Sequence, residues 1–199
     1  MANEISRRAV LGGLSALAVA AATPALSLTA DAARELIMRA VADINAVINS
    51  GKSESAMYRD FEAIFRRYAD VPTIAQSALG PDARSASRAQ LAAFADAFTG
   101  YIARKYGKRF REFIGGQITV RSAQPVKSFL EVRATADLPG QAPFAVSFLV
   151  SDRSGRDLFF DLLIEGISLL KTERTEIGAM LDRRRGDVDQ LIRDLRTAG

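Results

Sequence analysis

The chain of 199 residues contains no histidine and no cysteine. Without histidine there is no His-based triad; without cysteine there is no thiol nucleophile and no disulfide; without either, the usual zinc sites are gone. Any catalysis would fall to carboxylates, lysine, tyrosine or serine. Long hydrophobic runs are missing as well. The longest, Ala9–Ala22, is built mainly of Ala, Gly, Val and Leu and is too short and too weakly apolar for a spanning helix, which needs about 20 residues. Charge of one sign is not in great excess either, with 27 basic against 23 acidic residues and a net charge of +4. The bases sit among acids, as in "RDLFFD", "KTERTE" and "DRRRGDVDQ". Such mixing describes a solvated surface and gives no nucleic-acid footprint.

What is present suits a folded body. Hydrophobic residues make up 48% and charged residues 25% of the chain, and this length accommodates one domain with a sizeable core. The N-terminus has the order of an export signal. Arg7 and Arg8 precede the apolar run, and small residues follow around Pro24–Ala30. "SRRAVLGG" resembles a twin-arginine motif, with an ordinary secretion signal as the alternative. Residues 1–30 are therefore expected to be a cleavable signal, with the mature chain starting between Ala25 and Asp31, and residues 31–199 to be a single domain outside the inner membrane.

Beyond the signal the apolar period is helical. One stripe holds Leu36, Ile37, Ala40, Val41, Ile44, Val47 and Ile48, and "NSGK" ends it. A second runs Met57, Tyr58, Phe61, Ile64, Phe65, Tyr68 and ends before Pro72, and a short helix covers Ile74–Leu79. The longest stripe is Leu91, Phe94, Phe98, Ile102, Tyr106, Phe110, Phe113, with a bend at Gly107 and a stop at Gly115-Gly116. That glycine pair lacks the context of a nucleotide loop. Past it the period becomes two: Ile118 and Val120; Leu130, Val132 and Ala134; Phe144, Val146, Phe148 and Val150; Phe160, Leu162 and Ile164. Short turn-rich links favour antiparallel neighbours. Two helices close the chain, one from about Ser168 and one capped by Asp187 with Gln190 three residues on.

The expected fold is α+β, with helices packed on a curved four-stranded antiparallel sheet. The stretch "FFDLLIEGISLL" (residues 159–170) poses a question of environment. As a regular strand it places Phe160, Leu162 and Ile164 on one face and Phe159, Asp161, Leu163 and Glu165 on the other. An ordinary half-buried strand needs only the first face apolar. The surplus apolar content implies that part of the space between sheet and helices is left unfilled. The aromatic stripe of the long helix serves either a core or a cavity wall, and periodicity does not separate the two. Asp161 and Glu165 either face solvent, pair with an arginine such as Arg133, or act as a general base in an apolar pocket, where burial would raise a carboxyl pKa. The basic run Arg183–Arg185 reads as a solvated helix end, with contact to lipid headgroups or a partner as the alternative.

Separated segments in a fixed order carry a resemblance. They are "F..IFRRYADVPTIAQSALG", "SRAQLAAFADAFTGYIARKYG" and "DLLIEGISLLKTERTEIGAML…GDVDQLIRDL". The most specific positions are Asp70, Ala78-Leu79-Gly80, Gln90, Phe94, Phe98, Tyr106, then Glu165-Gly166-Ile167-Ser168-Leu169 with Arg174 downstream. From about Ala33 to Leu195 the chain resembles the MlaC family, the periplasmic phospholipid-binding proteins of the lipid-asymmetry or toluene-tolerance transport system. It departs from that pattern at Ala83 or Arg84 and at Leu158 or Phe159, where the family often has Trp, and at Glu173, where Tyr is usual. These departures bear on lipid preference rather than fold, and a related subgroup is associated with hopanoids.

The resemblance implies a deep apolar cavity that holds acyl chains, with the headgroup at its mouth. It implies phospholipid as cargo and no catalytic cofactor. The implied partners are an inner-membrane ABC transporter complex with an MCE-domain ring and an outer-membrane lipoprotein complex. Residues of the long helix and the sheet expected to meet at that cavity are Phe94, Phe98, Phe110, Val132, Val146, Phe148, Phe160, Leu162 and Ile164. Two other readings compete. A pocket isomerase or hydrolase would place Asp161 or Glu165 deep in the cavity, and a structural adaptor would have a filled core.

Overall fold

The computed structural model describes residues 28–199, apart from the side chains of residues 109–111. The export signal assigned to residues 1–30 therefore lies, as far as residue 27, outside the described residues, as does the side chain of Phe110. Among the described residues the order is α1 (Ala30–Ile48), α2 (Glu54–Tyr68), α3 (Val71–Leu79), α4 (Arg88–Gly107), β1 (Gln117–Val126), β2 (Phe129–Asp137), β3 (Phe144–Ser151), β4 (Leu158–Ile164), β5 (Ile167–Ser168), α5 (Leu169–Arg183) and α6 (Val188–Leu195). The fold is α+β, as expected.

The helices begin where capping chemistry allows. Thr29 caps α1 by accepting from the Ala32 amide, and Asp187 caps α6 by accepting from Gln190. Ser87 and Gln90 form a reciprocal capping box at the start of α4, which satisfies two otherwise orphaned donors. Helix α3 starts at Val71, three residues before the expected Ile74. Pro72 falls in its first turn, where its missing N–H costs nothing, and Asp70 supplies the cap at 3.2 Å from the Thr73 amide. The junction of α2 and α3 is tied to the sheet. Ala69 forms a parallel bridge with Phe159, and the Asp70 amide donates to the Phe159 carbonyl at 2.8 Å.

Helix α4 ends at Gly107 instead of continuing to Gly115-Gly116, and a 3₁₀ turn over Lys108–Phe113 follows it. Gly107 marks a close approach and not a bend within a longer helix: a Cβ there would lie 2.6 Å from Cε1 of Tyr58 on α2.

The sheet is a meander in the order β1-β2-β3-β4-β5 with every pair antiparallel. It has five strands where the sequence led to four. The extra strand is two residues long, too short for any periodicity to register. It is joined to β4 by Glu165 and Gly166, both at positive φ (50° and 78°), the combination that a two-residue type I′ hairpin requires.

A second departure changes which side chains face inward. Leu149 pairs with Asp161 but Val150 pairs with Phe159, so Phe160 is the extra residue of a bulge. Bulges reverse the alternation on their strand. Phe159 therefore joins Leu162 and Ile164, partners of Phe148 and Val146, on the inner face. The expected pairing of Phe160 with Leu162 on one face, opposite Phe159, does not hold. Phe159 makes edge contact with Phe148 at 5.9 Å, and Phe160 turns to Phe129 at 5.5 Å.

The apolar interior is divided. One packed cluster joins α3, α4, α5 and α6 around Phe94, Phe98, Ile177 and Leu191. Another joins α1 to the inner face of the sheet around Ile37, Val132, Phe148 and Val150. A small third links Ile48, Met57 and Phe61. Phe159 packs against both large clusters.

Candidate functional site

Between the two large clusters lies a cavity of about 420 Å³, within the size range of small-molecule sites, about 300–1,000 Å³. Every layer contributes to its wall. The helices supply Ile44, Phe61, Phe65, Ile74, Phe98 and Ile102, and the sheet supplies Phe144, Val146, Phe148, Phe159, Leu162 and Ile164. Leu169 and Leu170 close it at the start of α5, and Phe113 of the 3₁₀ turn adds another ring. An interior of this composition offers dispersion and the exclusion of water, and almost no directional chemistry.

Of the residues expected to meet here, Phe98, Val146, Phe148, Phe160, Leu162 and Ile164 are on the wall. Phe94 and Val132 are not. Both are fully buried one layer behind it: Phe94 stacks on Phe98 at 5.7 Å in the helical cluster, and Val132 is packed between sheet and α1. Phe94 lies one helical turn from Phe98, and Val132 one strand from Val146, so each belongs to the right surface but supports the lining without reaching it. The Phe110 side chain lies outside the described residues. Sequence reading did not select Phe61, Ile64 and Phe65, although they form an i, i+3, i+4 set on α2, because a stripe facing a cavity has the same spacing as one facing a core. Phe159 was missed for a different reason: the bulge moves it to the inner face.

Polar groups on the wall are few. Asp161 is 9% exposed. Its Oδ1 accepts from the Leu162 and Leu170 amides at 2.8 and 3.1 Å, and its Oδ2 accepts from the Ser168 hydroxyl at 2.6 Å. Ser168 in turn caps α5. Asp161 thus neither faces solvent nor pairs with Arg133, which is bonded to Glu131 at 3.0 Å. Its oxygens are committed to the start of α5, which leaves it poorly placed to take a proton from a ligand. Glu165 is exposed on the hairpin and accepts from the Ala145 amide.

Glu173 is different. It is 2% exposed, lines the cavity, and belongs to a cluster with Tyr101, Lys105, Tyr106 and Glu176. Its Oε1 accepts from Lys105 Nζ at 2.7 Å and from the Tyr106 hydroxyl at 2.5 Å. Lys105 also donates to Glu176 at 2.5 Å, and Tyr101 donates to Glu176 at 2.8 Å. Burial works against the Lys105 ammonium, but hydrogen bonds to Glu173 and Glu176 outweigh it and hold its pKa above the ordinary lysine value. Burial, with Glu173 beside it, pushes the Tyr106 hydroxyl up, and Lys105 holds the Glu176 carboxyl below the ordinary glutamate value.

A shallower groove of about 490 Å³ runs past Arg66, Asp70, Asp96 and Arg156. Arg66 is bound to Asp96 at 2.6 Å and Asp70 caps α3, so its polar groups largely serve one another. Among the described residues no group of three or more potential ligands could hold a metal, and no helix is long and apolar enough to cross a membrane.

The family model of the MlaC protein matches residues 38–197. The chain belongs to the MlaC family. A similar solved structure is the phospholipid-binding protein from Ralstonia solanacearum in complex with a phospholipid. It superposes with a TM-score of 0.70 at 20% identity, over 82% of this chain and 94% of that one. At that identity the likeness concerns the fold. Within this MlaC-family chain, the segments that carry the family pattern hold the site together. Asp70 and Ala69 dock the helices on β4; Glu165-Gly166 makes the hairpin; Ser168 caps α5; and Arg174 packs over Gly80, where an added Cβ would stand 3.4 Å from its Nε.

Proposed function

We infer that the chain is a phospholipid carrier of the periplasm, exported by its N-terminal signal, which holds acyl chains in the cavity between its two cores. Phe98, Val146, Phe148, Phe160, Leu162 and Ile164, together with Phe61, Phe65 and Phe159, contact the chains. The observation that carries this reading is the apolar wall assembled from every layer of the fold. The phospholipid held by the structurally similar Ralstonia protein supports the class of cargo. The carrier exchanges lipid with an inner-membrane MCE-domain ABC transporter complex and an outer-membrane lipoprotein complex.

The energetics suit that task. Removing a methylene from water is worth about 0.8 kcal/mol, so two long chains counted from water would exceed the ~20 kcal/mol ceiling on non-covalent affinity. Cargo instead moves from a bilayer to the cavity, apolar on both sides, and the net change is small. Near balance lets the partner set the direction of transfer. No catalytic group takes part, and the commitment of Asp161 to the α5 cap argues against the competing enzyme reading. Extraction of lipid from protein purified under mild conditions, followed by mass spectrometry, should yield phospholipid. Protein that never carries lipid would defeat the proposal.

A further inference from the structure

The cavity wall holds a buried polar atom that the fold does not serve. Oε2 of Glu173 is buried and has no hydrogen-bond partner among the described residues, while Oε1 of the same carboxylate accepts two bonds. Neighbouring donors are engaged elsewhere: the Tyr106 hydroxyl with Oε1, the Tyr101 hydroxyl with Glu176, and the Lys105 ammonium with both carboxylates. The ammonium that serves Glu173 is shared with Glu176. Buried acceptors are almost always paired in native proteins, and a carboxylate oxygen left without a donor is costly. Stability alone would favour an apolar residue at a cavity wall made of Phe, Leu and Ile.

We propose that the missing donor belongs to the cargo, and that Glu173 selects lipids that bring an O–H or N–H group into the cavity. This rests on the carrier reading and adds the chemistry of the ligand. A quaternary ammonium brings charge but no hydrogen-bond donor to Oε2, and a plain hydrocarbon chain brings neither. A phosphate in direct contact with Oε2 would meet a like charge, so the donor and not the phosphate must face Glu173. An ammonium or a hydroxyl fits, whether it comes from a headgroup or from a hydroxylated acyl chain.

The test is a competition for the delipidated full chain from vesicles of equimolar lipids matched in chain length. The lipids are a phosphatidylcholine, a phosphatidylethanolamine, and a phosphatidylcholine with one hydroxylated acyl chain. Protein-bound lipid is then counted by mass spectrometry. At least one donor-bearing lipid should exceed plain phosphatidylcholine by about tenfold. Enrichment of the ethanolamine lipid assigns the donor to an ammonium, and enrichment of the hydroxylated lipid assigns it to a chain hydroxyl. In Glu173→Gln, which offers an amide in place of the carboxylate, the ratio among the lipids that remain bound should fall to about twofold or less. Equal retention of all three by the wild type overturns the inference, as does a preference that persists in the variant. The wild-type ratio decides the matter even if the variant does not fold. Retention of no lipid by the wild type overturns the carrier reading itself, a different result from indiscriminate binding.

Discussion

Tryptophan placed at Val146 and at Val132 should have opposite consequences. Both residues are valines on the inner face of adjacent strands, 6% and 0% exposed, and so look equivalent by burial. Val146 borders the cavity of about 420 Å³ and Val132 is packed against α1. Overfilling a packed site costs about 1–3 kcal/mol, and for a chain of this size each kcal/mol moves Tm by about 2–4 °C. Val132→Trp should therefore lower the Tm of delipidated protein by roughly 2–12 °C. Val146→Trp has open volume to enter and should leave that Tm within about 2 °C. With lipid present the order of effects changes. A ligand that binds only the native state raises its stability by mass action, and Val146→Trp, with the indole occupying tail space, should lose that increment. Differential scanning calorimetry before and after delipidation, with bound lipid quantified alongside, reads both quantities. Equal destabilisation by the two substitutions would show that Val146 faces packed protein, and the reasoning would fail.

Three further outcomes follow from the packing and the charges. Asp161→Asn keeps one acceptor but loses the one that takes the Ser168 hydroxyl, so urea denaturation should register a loss of about 1–2 kcal/mol with lipid content unchanged; loss of lipid without loss of stability would restore Asp161 to a ligand-binding role. Gly107→Ala drives a methyl group into the Tyr58 ring and should cost about 1–3 kcal/mol, whereas an unchanged denaturation midpoint would mean that α2 and α4 are not in such close contact. For pH, the Lys105 hydrogen bond holds the Glu176 carboxyl below its unfolded value of 4.5. Its contribution is complete above pH 4.5 and is lost as the pH falls from there through the folded value. Glu176→Gln should flatten that acid limb in a urea–pH series, and an unchanged limb would contradict the assignment.

Much of the fold was legible because it rests on local patterns. The stripes of α1, α2 and α4 and the alternation of β2 and β3 are visible in single segments, as are the cap at Asp187 and the start of a helix near Ser168. The fourth strand was misread where a local rule fails. One extra residue at Phe160 exchanges the faces of everything before it, and nothing in "LFFDLLI" marks the position. Gly107 carried a correct signal with the wrong cause, since its need for space arises from Tyr58 on another helix. From the residues alone the cavity was legible only as a surplus of apolar side chains; its expected depth and cargo came from the family resemblance. Whether Phe98 or Phe94 touches open space depends on how two clusters fail to meet, a property of the assembled helices and sheet. The Glu173 cluster was beyond reach of sequence: its bonds to Lys105 and Tyr106 span 68 and 67 residues, and its members share no motif.

The central claim, that an acyl chain occupies the space between the two cores, can be tested with the residue this chain lacks. It contains no tryptophan, so a single introduced indole reports without background. Phe159→Trp places the fluorophore on the cavity wall, between both clusters, and Met38→Trp places it on the exposed side of α1. Loading each variant with phospholipid brominated along its acyl chains should quench the emission of the Phe159→Trp variant strongly and leave that of the Met38→Trp variant nearly unchanged. Equal quenching in the two variants, or none in Phe159→Trp protein shown to carry the brominated lipid, would place the acyl chains elsewhere and contradict the account.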